Sequence, residues 1–335
     1  MQGYRLKRTG KPSVLKLEEL PEPTPGRGEI KIKMNSIGIN YAEVLSRKGQ
    51  YSWAPKKPYV MGMEGCGEVV ALGEGVDKFK VGDKVIVGKQ YGTYAEYTCA
   101  PQHLCFPAFQ SFSDEENAAY LVNFMTAWVA LRKLCRVEAN ERVLIHAAAG
   151  GVGTAALQIG HALGCKTYGT ASRADKLDLI SSFGAQPVNY RENDFCEVIM
   201  RDGGKVDCVL EVVGGEVFKK SIQLLAPFGR LAVIGFASMN LKWWNPLSWV
   251  KTYMDAPKIN MMKMAMRSQG VYASHIGYLT ENEGMAGAIW EELHEFVTQY
   301  QLKPVVGKVF PFDALPDAHA FMESRNSIGK LVVKV

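Results

Sequence analysis

No C-x-x-C pair occurs in this chain, and its seven cysteines, an odd number, are scattered along it. That argues against a disulfide framework and for buried or free thiols in a reducing, cytoplasmic setting. No apolar run approaches the ~18 residues that span a bilayer, and the opening MQGYRLKRTG lacks the apolar core of a signal peptide. A basic tract is missing too. The net charge of +5 is mild and shows no basic run of the sort that tracks nucleic acid, so DNA and RNA are not expected partners. What remains is an ordinary soluble composition, 47% hydrophobic and 22% charged, in 335 residues that are ample for two domains.

The most informative stretch is HAAAGGVGTAALQIGHALG, residues 146–164, which follows the short apolar run RVLI at 142–145. Strand, glycine turn and helix in that order let backbone N–H groups at a helix N-terminus face an anion. Gly150 and Gly153 match the last two glycines of the dinucleotide pattern G-x-G-x-x-G, but Ala148 stands at the first. Context carries the reading instead. A strand is expected over 165–171, a helix over 176–183 stopped by Gly184, a strand over 206–213, a helix over 218–225 closed by Pro227 and Gly229, and a strand over 231–236. Such alternation implies βαβ units and a doubly wound parallel sheet.

Roughly 20 residues past the glycines, an acid would hydrogen-bond the ribose 2′-OH of NAD. Ser172, Arg173 and Lys176 stand there instead, a hydroxyl and two cations suited to a 2′-phosphate. The expected cofactor is therefore NADPH. Residues 1–120 look different, with many Gly and Pro turns between short alternating stretches such as EIKIKM and GEVVA, as in a small, mostly antiparallel β domain.

Within that part lie GINYAEVLSRKGQY from Gly38, VMGMEGCGEVVALGEGV from Val60 and VGDKVIVGKQYGTYAEY from Val81. With LVNFMTAWVAL, AAAGGVG, YGTAS, HIGYL and SIGKLVVKV, they resemble the medium-chain dehydrogenase/reductase superfamily nearly end to end. The pattern G-x-N-x-x-(D/E)-x-x-x-R-x-G-x-Y is similar to its quinone oxidoreductase branch, and the whole set resembles the vesicle amine transport group most. That group's A-x-x-G-x-x-G is met by Ala147, Gly150 and Gly153, with Gly151 and Val152 between them.

The resemblance implies a GroES-like catalytic domain from residues 1–123 and 283–335, a Rossmann domain over 124–282, and a homodimer. Zinc-dependent relatives carry Cys and His where this chain has Asn40 and Met63, and an amide and a thioether are poor zinc ligands. No metal is expected. Chemistry then moves to acceptors that are already electrophilic, quinones or α,β-unsaturated carbonyls, with hydride supplied by NADPH. Asn40 is the first choice for binding the substrate oxygen or the nicotinamide ribose, with a turn-capping Asn as the alternative. Tyr51 is a second catalytic candidate, or a core or rim Tyr. By resemblance, Asn123, Thr126 and Phe236 would flank the nicotinamide, and Tyr190 would lie beside the adenine and 2′-phosphate. His146 and His275 lack ligand partners at metal spacing.

Residues 238–270 hold three of the six tryptophans, six of the fourteen methionines and five cations against Asp255 alone. Such a segment suits a cleft wall, a subunit contact or a peripheral membrane surface. It keeps open a second function, an NADPH-binding protein that acts mainly through a partner or a membrane.

Overall fold

The computed structural model describes residues 1–235 and 258–335. Phe236 and residues 238–257 of the Trp- and Met-rich segment lie outside the described residues. Two compact units are formed, one by Met1–Met125 with Gly277–Val335, the other by Thr126–Ile276. The expected boundaries were 123/124 and 282/283.

The first unit opens with β1 (Gln2–Leu6), β2 (Leu17–Glu19) and β3 (Glu29–Ile39), then β4 (Tyr59–Val60), β5 (Glu64–Leu72), β6 (Lys84–Gly88), β7 (Tyr97–Pro101) and β8 (Cys105–Pro107). β3 runs past EIKIKM because its burial changes character. Alternate residues are buried as far as Met34, whereas Ser36 to Ile39 are buried without interruption. Alternation marks a half-covered strand, and its loss marks one covered on both faces.

The middle unit contributes β9 (Arg142–Ile145), β10 (Lys166–Ala171), β11 (Gln186–Asn189), β12 (Val206–Glu211), β13 (Leu225–Val233) and β14 (Gly270–Ala273). All pair in parallel in the order β11-β10-β9-β12-β13-β14. In chain order that is 3-2-1-4-5-6, the doubly wound dinucleotide arrangement. Leu144, Tyr168, Val209 and Leu231 from the strands pack with Phe195, Ile199 and Phe218 from the helices in its core. The helix Gly151–Ala162 lies tight on β10, since a Cβ at Gly160 would come within 2.7 Å of Thr167 Cγ2.

Two expectations need correction. Pro227 and Gly229 do not close a helix: the helix Gly215–Leu224 ends earlier and both residues lie inside β13. A register shift between Val206 and Cys208 against β13, with Phe228 at φ 62°, makes the irregularity that accommodates them. The strand Gln186–Asn189 was not foreseen, because its four residues include Pro187; at a sheet edge a missing N–H is tolerated.

The chain returns to the first unit with β15 (Val306–Pro311) and β16 (Lys330–Lys334), which complete the seven-stranded sheet β15-β16-β3-β5-β6-β8 with β7 on β3. Of the 238–270 segment, the described part forms a one-turn helix, Met261–Ala265, with Asn260 as cap and Met261, Met262 and Met266 exposed. Among the described residues, no helix is long and apolar enough to cross a membrane.

Candidate functional site

In the middle unit the chain leaves β9 through His146 and turns at Ala147, whose φ of 50° is left-handed. That conformation costs an L-residue roughly 1–2 kcal/mol, so the residue at the turn of the glycine motif is under strain. Gly150 caps the helix Gly151–Ala162 without a side-chain bond. Gly153 is the position that admits no side chain, since a Cβ there would lie 2.6 Å from Ala147 O, Ala148 Cα and Ala148 O. Among the described residues, the N–H groups of Gly151, Val152 and Gly153 have no acceptor. First-turn donors at the C-terminal edge of a parallel sheet are the group a pyrophosphate fits.

β10 ends at Ala171, and Tyr190, after β11, donates its N–H to Ala171 O at 3.1 Å. The backbone thus brings Tyr190, 54% exposed, beside Ser172, Arg173 and Lys176. Arg173 is the N-cap of the helix Ala174–Ser182, and its side chain makes no capping bond. Its guanidinium is closed onto Asp175, with Nε to Oδ1 at 3.0 Å and Nη2 on Oδ2. Asp175 Oδ1 also accepts the Lys176 N–H at 3.0 Å. The Arg173 hydrogen bond holds the Asp175 carboxyl below its usual range. Burial, then the Arg173 charge, pushes the Lys176 ammonium down. The expected cations are together, but an acid sits among them. Reading only Ser172, Arg173 and Lys176 missed Asp175.

In the outer unit, register builds the second site. Gly38 of β3 pairs with Val332 of β16 on one side and Glu64 of β5 on the other. Asn40 follows β3, and Lys330 opens β16 just past the pair Leu331 and Ile39, so Asn40, Glu64 and Lys330 meet at one end of the sheet. Asn40 Nδ2 donates to Glu64 Oε1 at 3.0 Å, Lys330 Nζ donates to Asn40 Oδ1 at 2.6 Å, and Lys330 pairs with Glu64 Oε1. Glu64 Oε2 accepts the Val122 N–H at 2.9 Å, in the first turn of the helix Leu121–Trp128. That helix carries Asn123, whose amide donates to Ala119 O at 2.9 Å, and the half-buried Thr126.

The rest of the Gly38 motif is largely architecture. Glu43 accepts the Asn40 N–H at 2.6 Å, the Met63 N–H at 2.7 Å and the Tyr94 hydroxyl at 2.7 Å. Tyr94 OH lies 3.0 Å from His319 Nε2, and His319 Nδ1 accepts from Arg47 Nε at 3.4 Å. Arg47 in turn pairs with Glu323. Gly49 ends the helix Tyr41–Lys48 at φ 74°. Burial raises the Glu43 carboxyl to about 7 against the bonds from Asn40 and Tyr94, and burial with the Arg47 charge drops His319 to about 3. Tyr51, edge-on to Trp53, is pushed up to about 12 by burial and then by Glu43. It is a weaker acid than a free tyrosine.

The residues at the two zinc-matching positions do not fit a zinc ion. Asn40 is already held by an ammonium and a carboxylate, and the fixed positive charge of Lys330 opposes a divalent cation beside it. Among the described residues, no group of three His, Cys, Asp or Glu could hold a metal. His146 is internal to the middle unit: Nδ1 lies 3.1 Å from Thr170 Oγ1 and Nε2 lies 2.9 Å from Ser221 Oγ. Burial lowers it to about 3, and burial lowers His275 as well. Glu64 lies in VMGMEGCGEVV and Lys330 in SIGKLVVKV, but nothing in the sequence pairs two residues so far apart in the chain.

The alcohol dehydrogenase GroES-like domain family matches residues 26–110, and the zinc-binding dehydrogenase family matches residues 183–333. The chain is 32% identical to the synaptic vesicle membrane protein VAT-1 homolog of Rattus norvegicus over 330 residues, 95% of this chain and 80% of that protein. It is 30% identical to the quinone oxidoreductase of Homo sapiens, over 99% of this chain and 97% of that one. The structure of Escherichia coli quinone oxidoreductase complexed with NADPH superposes over all of both chains, with a TM-score of 0.88 and 28% identity.

Proposed function

The chain belongs to the medium-chain dehydrogenase/reductase superfamily, with the quinone oxidoreductases and the VAT-1 proteins, and from that membership we propose that it is a zinc-independent, NADPH-dependent reductase of quinones or α,β-unsaturated carbonyls. The observation that carries the reading is the cradle after β9, with its strained Ala147, its side-chain-free Gly153 and its three open N–H groups. NADPH, when bound, supplies the hydride. Gly151, Val152 and Gly153 would hold the pyrophosphate, and Ser172, Arg173, Lys176 and Tyr190 the 2′-phosphate end. Asn123, Thr126 and Phe236 would take the nicotinamide. Asn40 has two amide N–H groups. One goes to Glu64, and the other is the donor for the acceptor oxygen as charge develops there.

Purified protein incubated with NADPH and a panel of quinones and enones should consume reduced nicotinamide, with no loss after chelation. No turnover with any acceptor, or stoichiometric zinc after chelator-free purification, would count against the reading. Asn40→Ala should lower turnover about a hundredfold, as loss of an oxyanion donor does, and leave NADPH affinity nearly intact. Unimpaired turnover would remove Asn40 from catalysis. Asp175→Asn should tighten NADPH about threefold and leave NADH nearly unchanged, because it removes a like charge from the phosphate site at an exposed, screened position. Weaker NADPH binding would instead make Asp175 the group that holds Arg173 in place.

A further inference from the structure

We propose that Glu64 and Lys330 are positioning residues that fix the Asn40 amide for the acceptor oxygen, a role that rests on reading Asn40 as the donor. Lys330 is 3% exposed and Glu64 fully buried. Burying both charges is an expensive way to fill a sheet end, because an apolar pair of similar volume would serve stability as well or better. What the pair supplies is direction. An ammonium only donates and a carboxylate only accepts, so Lys330 takes Oδ1 and Glu64 takes Nδ2, and the amide has one orientation. Two uncharged partners would permit the flip.

The surrounding packing keeps the pair in place. A Cβ at Gly38 would lie 2.9 Å from Lys330 Cε and 3.0 Å from Glu64 Cγ, and 2.3 Å from Ala118 O. The first glycine of the G-x-N motif is therefore the space in which the lysine and glutamate stems run. The second Glu64 oxygen holds the Val122 N–H. One carboxylate thus sets the Asn40 amide against the first turn of the helix that carries Asn123 and Thr126.

The test is a double-mutant cycle between Asn40→Ala and the charge-neutral pair Glu64→Gln with Lys330→Met, read as kcat, KM and NADPH affinity. The neutral pair removes both buried charges together, so no lone charge is left to unfold the sheet. It should keep NADPH affinity and KM near those of the parent and lose about a hundredfold in kcat through misorientation alone. Adding Asn40→Ala to that background should cost little more, because groups acting as a unit are not additive. Turnover in the neutral pair at the level of the parent overturns the positioning role while Asn40 stands, and so do losses that simply multiply. Parental turnover in Asn40→Ala alone overturns the donor reading itself. If the neutral pair does not fold, Glu64→Gln with Lys330→Gln gives the answer: both amides can donate or accept, so either Asn40 orientation is allowed with no lone buried charge, and kcat should fall about tenfold with KM unchanged. An unchanged kcat there overturns the proposal.

Discussion

Alanine at both Arg173 and Lys176 is expected to erase the preference for NADPH over NADH. A charge-assisted bond to a phosphate is roughly twice as strong as a neutral one. Arg173 is partly exposed and already paired with Asp175, so its share is reduced by screening and by the carboxylate it must leave. Lys176, half-buried, is screened less. Together they should account for a factor on the order of a hundred in the ratio of the two Kd values. Isothermal titration of both coenzymes against parent and double variant measures it. A ratio that stays where it was would place the phosphate site elsewhere.

Acid should loosen the middle unit before the outer one. His146 is held near 3 by burial, against about 6.5 in an unfolded chain. Above 6.5 both states are neutral there. As pH falls from 6.5 towards 3, the unfolded chain takes a proton the folded unit refuses, and stability is lost at about 1.4 kcal/mol per pH unit. His275, lowered by burial, adds to this loss. Glu211, raised by burial, opposes it.

In the outer unit, His319, also near 3, destabilises on acidification in the same way. Glu43, raised to about 7, does the reverse: its folded form holds an extra proton between about 4.5 and 7, so its contribution grows as pH falls through that window. The two nearly cancel from pH 6.5 to 5. Over that range the middle unit should lose on the order of 1–2 kcal/mol and the outer unit close to nothing. Hydrogen exchange resolved by segment and corrected for intrinsic rate would show it, and His146→Asn should flatten the middle unit's slope. Equal slopes in the two units would refute the assignment to His146.

The parallel sheet was legible because each of its main strands carries its own signal: RVLI, VDCVLEVV and LAVIGF are apolar runs separated by helical stretches. Gln186–Asn189 was not, since four residues with a proline make no pattern until the edge of β10 is there to receive them. The glycine motif was legible for the same local reason, although which residue bears the strained turn, Ala147, needed backbone angles. Asp175 gives no such signal, because it stands not at the strand end, where an acid marks NAD, but in the next helix, turned back onto Arg173. Glu64 and Lys330 each lie in a stretch that carries the family resemblance, but nothing local pairs them. They meet only through antiparallel registers that join β3 to β5 and to β16. The same holds for Tyr94 and His319 with Glu43 and Arg47, charges and dipoles far apart in the chain whose partnership is tertiary.

The place of β16 between β15 and β3 has a consequence for biosynthesis. While the chain emerges from the ribosome, residues 1–125 can form β3 with β5 on one edge and β7 on part of the other, but the Ser36–Ile39 part of that second edge stays bare through the synthesis of some two hundred further residues. The middle unit, contiguous in sequence, can meanwhile fold by itself. An open edge that ends in the apolar Ile37–Gly38–Ile39 is a template for the wrong strand. The outer unit thus depends on keeping that edge unpaired until residues 330–334 arrive, and the lysine that holds Asn40 Oδ1 arrives with them.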